Sequence, residues 1–166
     1  MKVDPLELRR VLGRFATGVT VVTSRIGEQT RGITVNSFTS VSLDPPIVLI
    51  CIDHSARTYR FLPDAGIFAV NVLNEAQLPI CEIFARRLAE NPDDELANVP
   101  YHEGVTGAPL IDGAIAHIEC RIVGKHEVGD HAIFLGEVVA ATPVQEAPPL
   151  LFFRGGFPRL ERSESG

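Results

Sequence analysis

Two β-branched runs separated by a double proline constrain this chain more than any other feature. Residues 31–53 read RGITVNSFTSVSLDPPIVLICID. Both residues 32–41 and residues 47–52 are rich in side chains that favour a pleated, half-buried surface. Proline cannot donate to a strand ladder, so Leu43-Asp44-Pro45-Pro46 must break the sheet between them. The pattern predicts one strand over residues 31–42. It predicts a second over residues 47–52, an unbroken apolar run of the kind covered on both faces. The first run also carries Thr34, Asn36, Ser37, Thr39, Ser40 and Ser42 among Ile33, Val35, Phe38 and Val41. A strand that only fills a core has little use for so many polar groups. Buried polar groups need hydrogen-bond partners, and a bound polar ligand is one way to supply them.

The flanking sequence adds further short strands and a few helices. Asp4-Pro5-Leu6-Glu7 is a helix start, with a capping side chain, a proline at the first helical position and a glutamate where a capping box needs it. Leu8, Val11, Leu12 and Phe15 then recur at helical spacing, with Gly18 as the stop. This helix is expected to cover a barrel end or meet a second copy. Residues 19–24 form a strand that pairs back onto residues 31–42 through Gly27-Glu28-Gln29. Residues 67–73 are another strand. Asn74 and Gln77 open a helix as a capping box, and Arg86 and Arg87 close it where the helix dipole prefers cations.

Residues 88–113 are too long and polar for a plain turn. They read as a lid, or as an excursion with short strands around residues 99–102 and a solvated face at Asp93-Asp94-Glu95. Residues 116–122 alternate, giving a strand whose wet face carries His117, Glu119 and Arg121. Glu127-Val128-Gly129-Asp130 joins it to a strand over residues 131–140, and residues 150–153 form the last strand. The expected class is mainly β, a β-barrel with peripheral helices. Residues 1–160 suit one domain, with a disordered tail over residues 161–166.

Asp53-His54-Ser55-Ala56-Arg57-Thr58 follows a strand and opens a short helix. Free N–H groups and the positive dipole end of a helix hold anions. The Ser55 and Thr58 hydroxyls and the Arg57 charge suit a phosphate, although Ser55 also reads as a simple N-cap. The formal net charge of −6 argues against a nucleic-acid binder. No run is long enough to span a bilayer as a helix, and no secretory leader is evident. Cys51, Cys81 and Cys120 form no metal or redox spacing and read as reduced cysteines of a cytoplasmic protein. His126 and His131 lack further ligands at metal-binding spacing. The chain has no G-x-G-x-x-G after a strand, no P-loop and no G-x-S-x-G.

TGVTVVTS (residues 17–24), GITVNSFTSVSLDPP (residues 32–46) and Gly129-Asp130-His131, in this order, resemble the flavin reductase family. These are the small reductase components that supply reduced flavin to partner monooxygenases. The resemblance runs from Val11 to about Pro158. It implies an FMN-binding split β-barrel with a Greek-key core, and a homodimer with flavin near the subunit interface. It implies FMN or FAD as the flavin and NADH or NADPH as the hydride donor, with reduced flavin diffusing to the monooxygenase.

The polar strand and the resemblance together place Thr34, Val35, Asn36, Ser37 and Ser40 at the flavin ring and ribityl chain, with Cys51 and Asp53 beside them. Ser55, Arg57 and Thr58 take the phosphate. Phe84, Ala85 and Arg86 lie along the flavin, and Phe157, where the family often has tyrosine, turns over the ring. Asp130 and His131 seat the nicotinamide. No side-chain acid, base or nucleophile is expected, because the cofactors carry the hydride chemistry. Two other readings suit the same residues: a flavoprotein with permanently bound FMN that passes electrons elsewhere, and a non-enzymatic flavin binder.

Overall fold

A computed structural model describes residues 2–85 and 93–161. Arg86 and residues 162–166 of the expected tail lie outside the described residues. In chain order the elements are α1 (Pro5–Leu12), β1 (Thr17–Gly18), β2 (Thr20–Ile26), β3 (Gln29–Val35), β4 (Phe38–Leu43), β5 (Pro46–Asp53), α2 (Arg57–Ala65) and β6 (Ile67–Val72). A 3₁₀ turn at Glu75–Gln77 leads into α3 (Leu78–Ala85), then β7 (Tyr101–Glu103), β8 (Pro109–Ile111), β9 (Ala116–Val128), β10 (His131–Pro143) and β11 (Leu151–Phe152). Seven strands form one antiparallel sheet in the order β3-β2-β6-β9-β10-β5-β4. β1 pairs with β11, and β7 with β8.

The predicted single strand over residues 31–42 is two strands. β3 pairs with β2, whereas β4 pairs with β5 at the opposite edge of the sheet. The chain crosses between them at Asn36-Ser37. Ser37 is held there by Cys51, whose N–H donates to the Ser37 carbonyl at 3.1 Å. The Ser37 hydroxyl donates to the Cys51 carbonyl at 2.8 Å. β5 is not covered on both faces as its unbroken apolar run suggested. Val48, Ile50 and Ile52 are buried, while Ile47, Leu49 and Cys51 are half-buried.

One core packs Val22, Ile50, Ile52, Leu62, Phe68, Val70 and Phe134 among the strands and α2. Gly136 makes room for Phe68, since a Cβ there would lie 2.5 Å from the Phe68 ring. A second cluster, with Val21, Leu73, Phe84, Leu96 and Ile111, covers the other side under α3 and the segment before β7. The Asn74 capping box opens the 3₁₀ turn as the sequence indicates.

Two expectations about exposed faces change. α1 ends at Leu12 rather than running to Gly18, because the Gly13 carbonyl accepts the Arg154 N–H at 2.8 Å. The expected wet face of β9 is covered at His117 and Glu119, while Arg121 is exposed as expected. His117 Nε2 donates to the Ile111 carbonyl at 2.9 Å. Glu119 accepts from the Val105 and Thr106 N–H groups and from the Thr106 hydroxyl. Polar alternation predicted water on this face, but the β7–β8 excursion brings its own donors and acceptors instead. All three cysteines are free, with Cys81 and Cys120 buried and Cys51 half-buried.

Phe68→Ala should lower unfolding stability by about 3–5 kcal/mol, read from chemical denaturation, because the cavity beside Gly136 cannot refill. Burial holds the His117 pKa below its ordinary value. The unfolded chain therefore binds more protons below about pH 6.5. The contribution of neutral His117 is full above that pH and declines as pH falls through it. His117→Asn should flatten this part of the stability–pH curve, measured as the denaturation midpoint between about pH 7.5 and 5.5.

Candidate functional site

The turn between β5 and α2 is built differently from the sequence expectation. The N-cap of α2 is Ala56, not Ser55, and no side chain caps the helix. Ser55 instead turns back to Asp53, with its N–H 2.6 Å from Asp53 Oδ1. Hydrogen bonds from the Ser55 hydroxyl and amide hold the Asp53 pKa below its ordinary value. The first turn of α2 thus keeps backbone donors that no side chain has taken. Ser55, Ala56, Arg57 and Thr58 open from there onto a pocket of about 170 Å³, shared with Gly32 and Thr34 of β3 and Phe84 and Ala85 of α3. Gly32 is required here, because a Cβ would lie 2.5 Å from the Phe84 ring.

The pocket also holds a residue that the sequence reading left on a solvated face. Glu95 lies 3.5 Å from Arg57 and 4.0 Å from Arg31, and accepts the Gly32 N–H at 3.0 Å. Its side chain is only 10% exposed. Local sequence offered no signal for this, since an acidic triplet in a polar segment is usually solvated. Asp94 is likewise engaged, accepting from the Thr30 hydroxyl.

From this pocket a second one of about 180 Å³ follows β3 past Thr34, Val35 and Asn36 to Phe152 and Phe157. Phe157 packs against Phe152, with ring centroids 5.7 Å apart. The polar strand is less free than its composition suggested. The Thr34 hydroxyl donates to the Cys81 carbonyl at 2.7 Å, and that of Ser37 is taken by Cys51. Asn36 is exposed, lines this pocket and two larger neighbouring cavities, and has no described residue bonded to its carboxamide. Ser40 lies on exposed β4 opposite Val48, away from these pockets. Cys51 contributes backbone to the bend, and burial raises its thiol pKa, so it is no thiolate.

The β9–β10 hairpin closes on the same turn. His131 pairs with Asp53 across β10 and β5. His131 Nδ1 is 2.7 Å from Asp130 Oδ1, and the His54 N–H donates to the Asp130 carbonyl at 3.0 Å. The hydrogen bond with His131 lowers the Asp130 pKa. Ligand atoms of Asp53, Asp130 and His131 fall within 4.8 Å of one another. The His131–Asp130 contact already accounts for two of the three.

One strand residue away, Glu127 gathers three donors: Lys125 at 2.8 Å, Tyr59 at 2.9 Å and His54 at 2.7 Å. Hydrogen bonds from Lys125 and Tyr59 pull its carboxyl down to about 2. Glu127 therefore remains charged and fastens both the turn and α2 to the hairpin. Nothing in its sequence context distinguished it from a surface glutamate.

The structure thus brings Thr34, Val35, Asn36, Asp53, Ser55, Arg57, Thr58, Phe84, Ala85 and Phe157 to one connected groove, with Asp130 and His131 at its end beside Asp53.

Residues 12–161 match the family described as flavin reductase like domain. Over 158 residues the chain is 47% identical to the NADH-dependent FAD reductase of Streptomyces globisporus, covering 95% of this chain and 86% of that one. It is 38% identical over 152 residues to the reductase component of 4-hydroxyphenylacetate 3-monooxygenase from Thermus thermophilus, covering 92% and 94%. The structure of the Streptomyces globisporus NADH:FAD oxidoreductase in complex with NAD and FAD fragments superposes with a TM-score of 0.88 at 45% identity, covering 99% of each chain.

Removing the charge at the clamp should loosen the turn without unfolding the sheet. In Glu127→Gln, amide hydrogen exchange across residues 53–59 should speed up while β2 and β6 stay protected. Equal protection in variant and wild type would show that Glu127 does not hold the turn.

Proposed function

The chain belongs to the flavin reductase-like family, and from that premise we propose that it is an NADH-dependent flavin reductase. It moves hydride from NADH to FAD or FMN and releases the reduced flavin to a separate monooxygenase component. The observation that carries this reading is the groove along β3, which joins the uncapped first turn of α2 to the open carboxamide of Asn36.

The residues suit a flavin. The backbone donors at α2, with Ser55, Thr58 and Arg57, would hold a phosphate as a helix start does. Glu95 fixes the Arg57 guanidinium at the rim. Backbone groups of Thr34 and Val35 and the side chain of Asn36 would take the polar ring edge. Phe157 and Phe84 supply flat apolar walls, and His131 with Asp130 would seat the nicotinamide. The flavin itself supplies the hydride-accepting chemistry when bound. The chain's part is to orient two flat rings and exclude water.

The same reading extends to assembly. We take the sheet to close into a split β-barrel of Greek-key type, because β3 runs on into β4 across the Ser37–Cys51 bonds and links the two sheet edges. We take the protein to be a homodimer. Leu8, Val11, Leu12 and Phe15 are 46%, 55%, 62% and 78% exposed, an apolar face that a second copy would cover. Three free cysteines suit a reducing cytoplasm.

The decisive assay is NADH oxidation under air with and without added flavin. Oxidation should depend on added FAD or FMN and saturate with it. Flavin-independent oxidation would indicate a permanently bound group, and no oxidation by folded protein would remove the reductase reading. Ser55→Ala should weaken FMN binding by about tenfold and leave riboflavin, which lacks the phosphate, unchanged. Asn36→Ala should weaken both.

A further inference from the structure

Glu95 puts a carboxylate where an anion pocket has least use for one. It lines the cleft of about 170 Å³ at the start of α2, and its side chain is only 10% exposed. The backbone there is fastened to β3. The Glu95 N–H donates to the Thr30 carbonyl at 3.3 Å, and the Leu96 N–H donates to the buried Thr30 hydroxyl at 3.1 Å. In the side chain, Oε2 accepts the Gly32 N–H while Oε1 faces Arg57 and Arg31. The charge is therefore held in place and does not swing away when an anion arrives.

The other charges around the cleft offset one another. Among the described lining residues Arg57 is the one cation, and Asp53 is a second carboxylate. Arg31 stands behind Glu95 and is already engaged. It donates to the Thr30 and Asp93 carbonyls at 2.9 and 3.2 Å, and its guanidinium lies 5.0 Å from the centre of the Phe61 ring. Two guanidinium groups thus face two carboxylates. What remains to attract an anion is the set of free N–H groups in the first turn of α2, equivalent to about half a unit charge. That suits a phosphate with one negative charge far better than a phosphate with two. A terminal phosphate monoester carries about −1.5 to −2 at pH 7, whereas a phosphate linked on both sides carries one charge.

We propose that Glu95 is a specificity-determining residue, whose fixed charge makes this pocket select a singly charged, doubly linked phosphate over a doubly charged terminal one. The inference rests on the flavin reductase reading, which seats the flavin phosphate at the start of α2. Flavins are then sorted by the charge of that one phosphate, independently of anything attached beyond it. FMN ends in a monoester, the corresponding phosphate of FAD is linked on both sides, and riboflavin has none.

The test is fluorescence titration of flavin-free protein at about pH 8 with riboflavin, FMN, the methyl ester of FMN and FAD. The methyl ester differs from FMN by one methyl group and one charge, so it separates charge from contacts to adenosine. Wild type should bind the methyl ester at least about threefold more tightly than FMN, the effect of one unit charge a few ångströms away in a solvated cleft. Glu95→Gln keeps an amide oxygen for the Gly32 N–H and removes the charge. It should tighten FMN about tenfold and the methyl ester and FAD about threefold, and leave riboflavin unchanged.

Wild type that binds FMN and its methyl ester alike would overturn charge selection without any variant. Glu95→Gln that weakens FMN and FAD together would make Glu95 only an anchor for Arg57. A loss that extends to riboflavin would make it only a brace for β3. Either result overturns the proposal. Wild type that binds flavins in the expected order but oxidises no NADH would remove the reductase reading and leave the charge selection standing. Wild type that binds no flavin would overturn both.

Discussion

Ser37 and Cys51 exchange two hydrogen bonds, and the geometry of the groove depends on them. They fix the point at which a continuous polar run stops pairing with β2 and starts pairing with β5. Without that bend β3 and β4 would be one strand, with alternate side chains on one face throughout. With it, Asn36 stands at the junction of three cavities, and the residues before and after it belong to opposite edges of the sheet. The hydroxyls of Thr34 and Ser37 are thus structural, donating to the Cys81 and Cys51 carbonyls, while the Asn36 carboxamide between them stays open.

Electrostatics around the α2 start follow from two glutamates on distant segments. Glu127 holds the turn from one side through Lys125, Tyr59 and His54. Glu95 holds Arg57 and Arg31 from the other. Both arrangements spare the backbone donors of the first helical turn, because the capping position is occupied by Ala56 and the serine beside it is committed to Asp53. A helix start left uncapped in this way retains its affinity for anions.

Much of the architecture was legible in the chain itself. The double proline, the Gly27-Glu28 turn, the Asn74–Gln77 capping box and the alternation of residues 116–122 are local patterns, and each corresponds to an element of the fold. Local chemistry also marked two stretches that the groove brings together, residues 34–36 and residues 53–58. What went astray was the far side of each pattern. His117 and Glu119 alternate like solvent-facing residues, yet the β7–β8 excursion covers them. Ser55 has the composition of an N-cap, yet its hydroxyl and amide turn to Asp53.

The division has a physical basis. Periodicity, turn residues and caps act over a few neighbouring positions, so a strand, a hairpin or a helix start can be read from the chain alone. Whether a polar side chain meets water, a ligand or another segment depends on partners tens of residues away. Thr30 with Asp94, Gly32 with Glu95, His54 with Glu127 and Gly13 with Arg154 are all such pairs. Long-range contacts of this kind leave no local periodicity. The mainly β class, the two β-branched runs around the double proline and the helix start after Asp53 therefore lay in the order of residues. The split at Asn36 and the paired glutamates arose only when sheet pairing brought remote segments together.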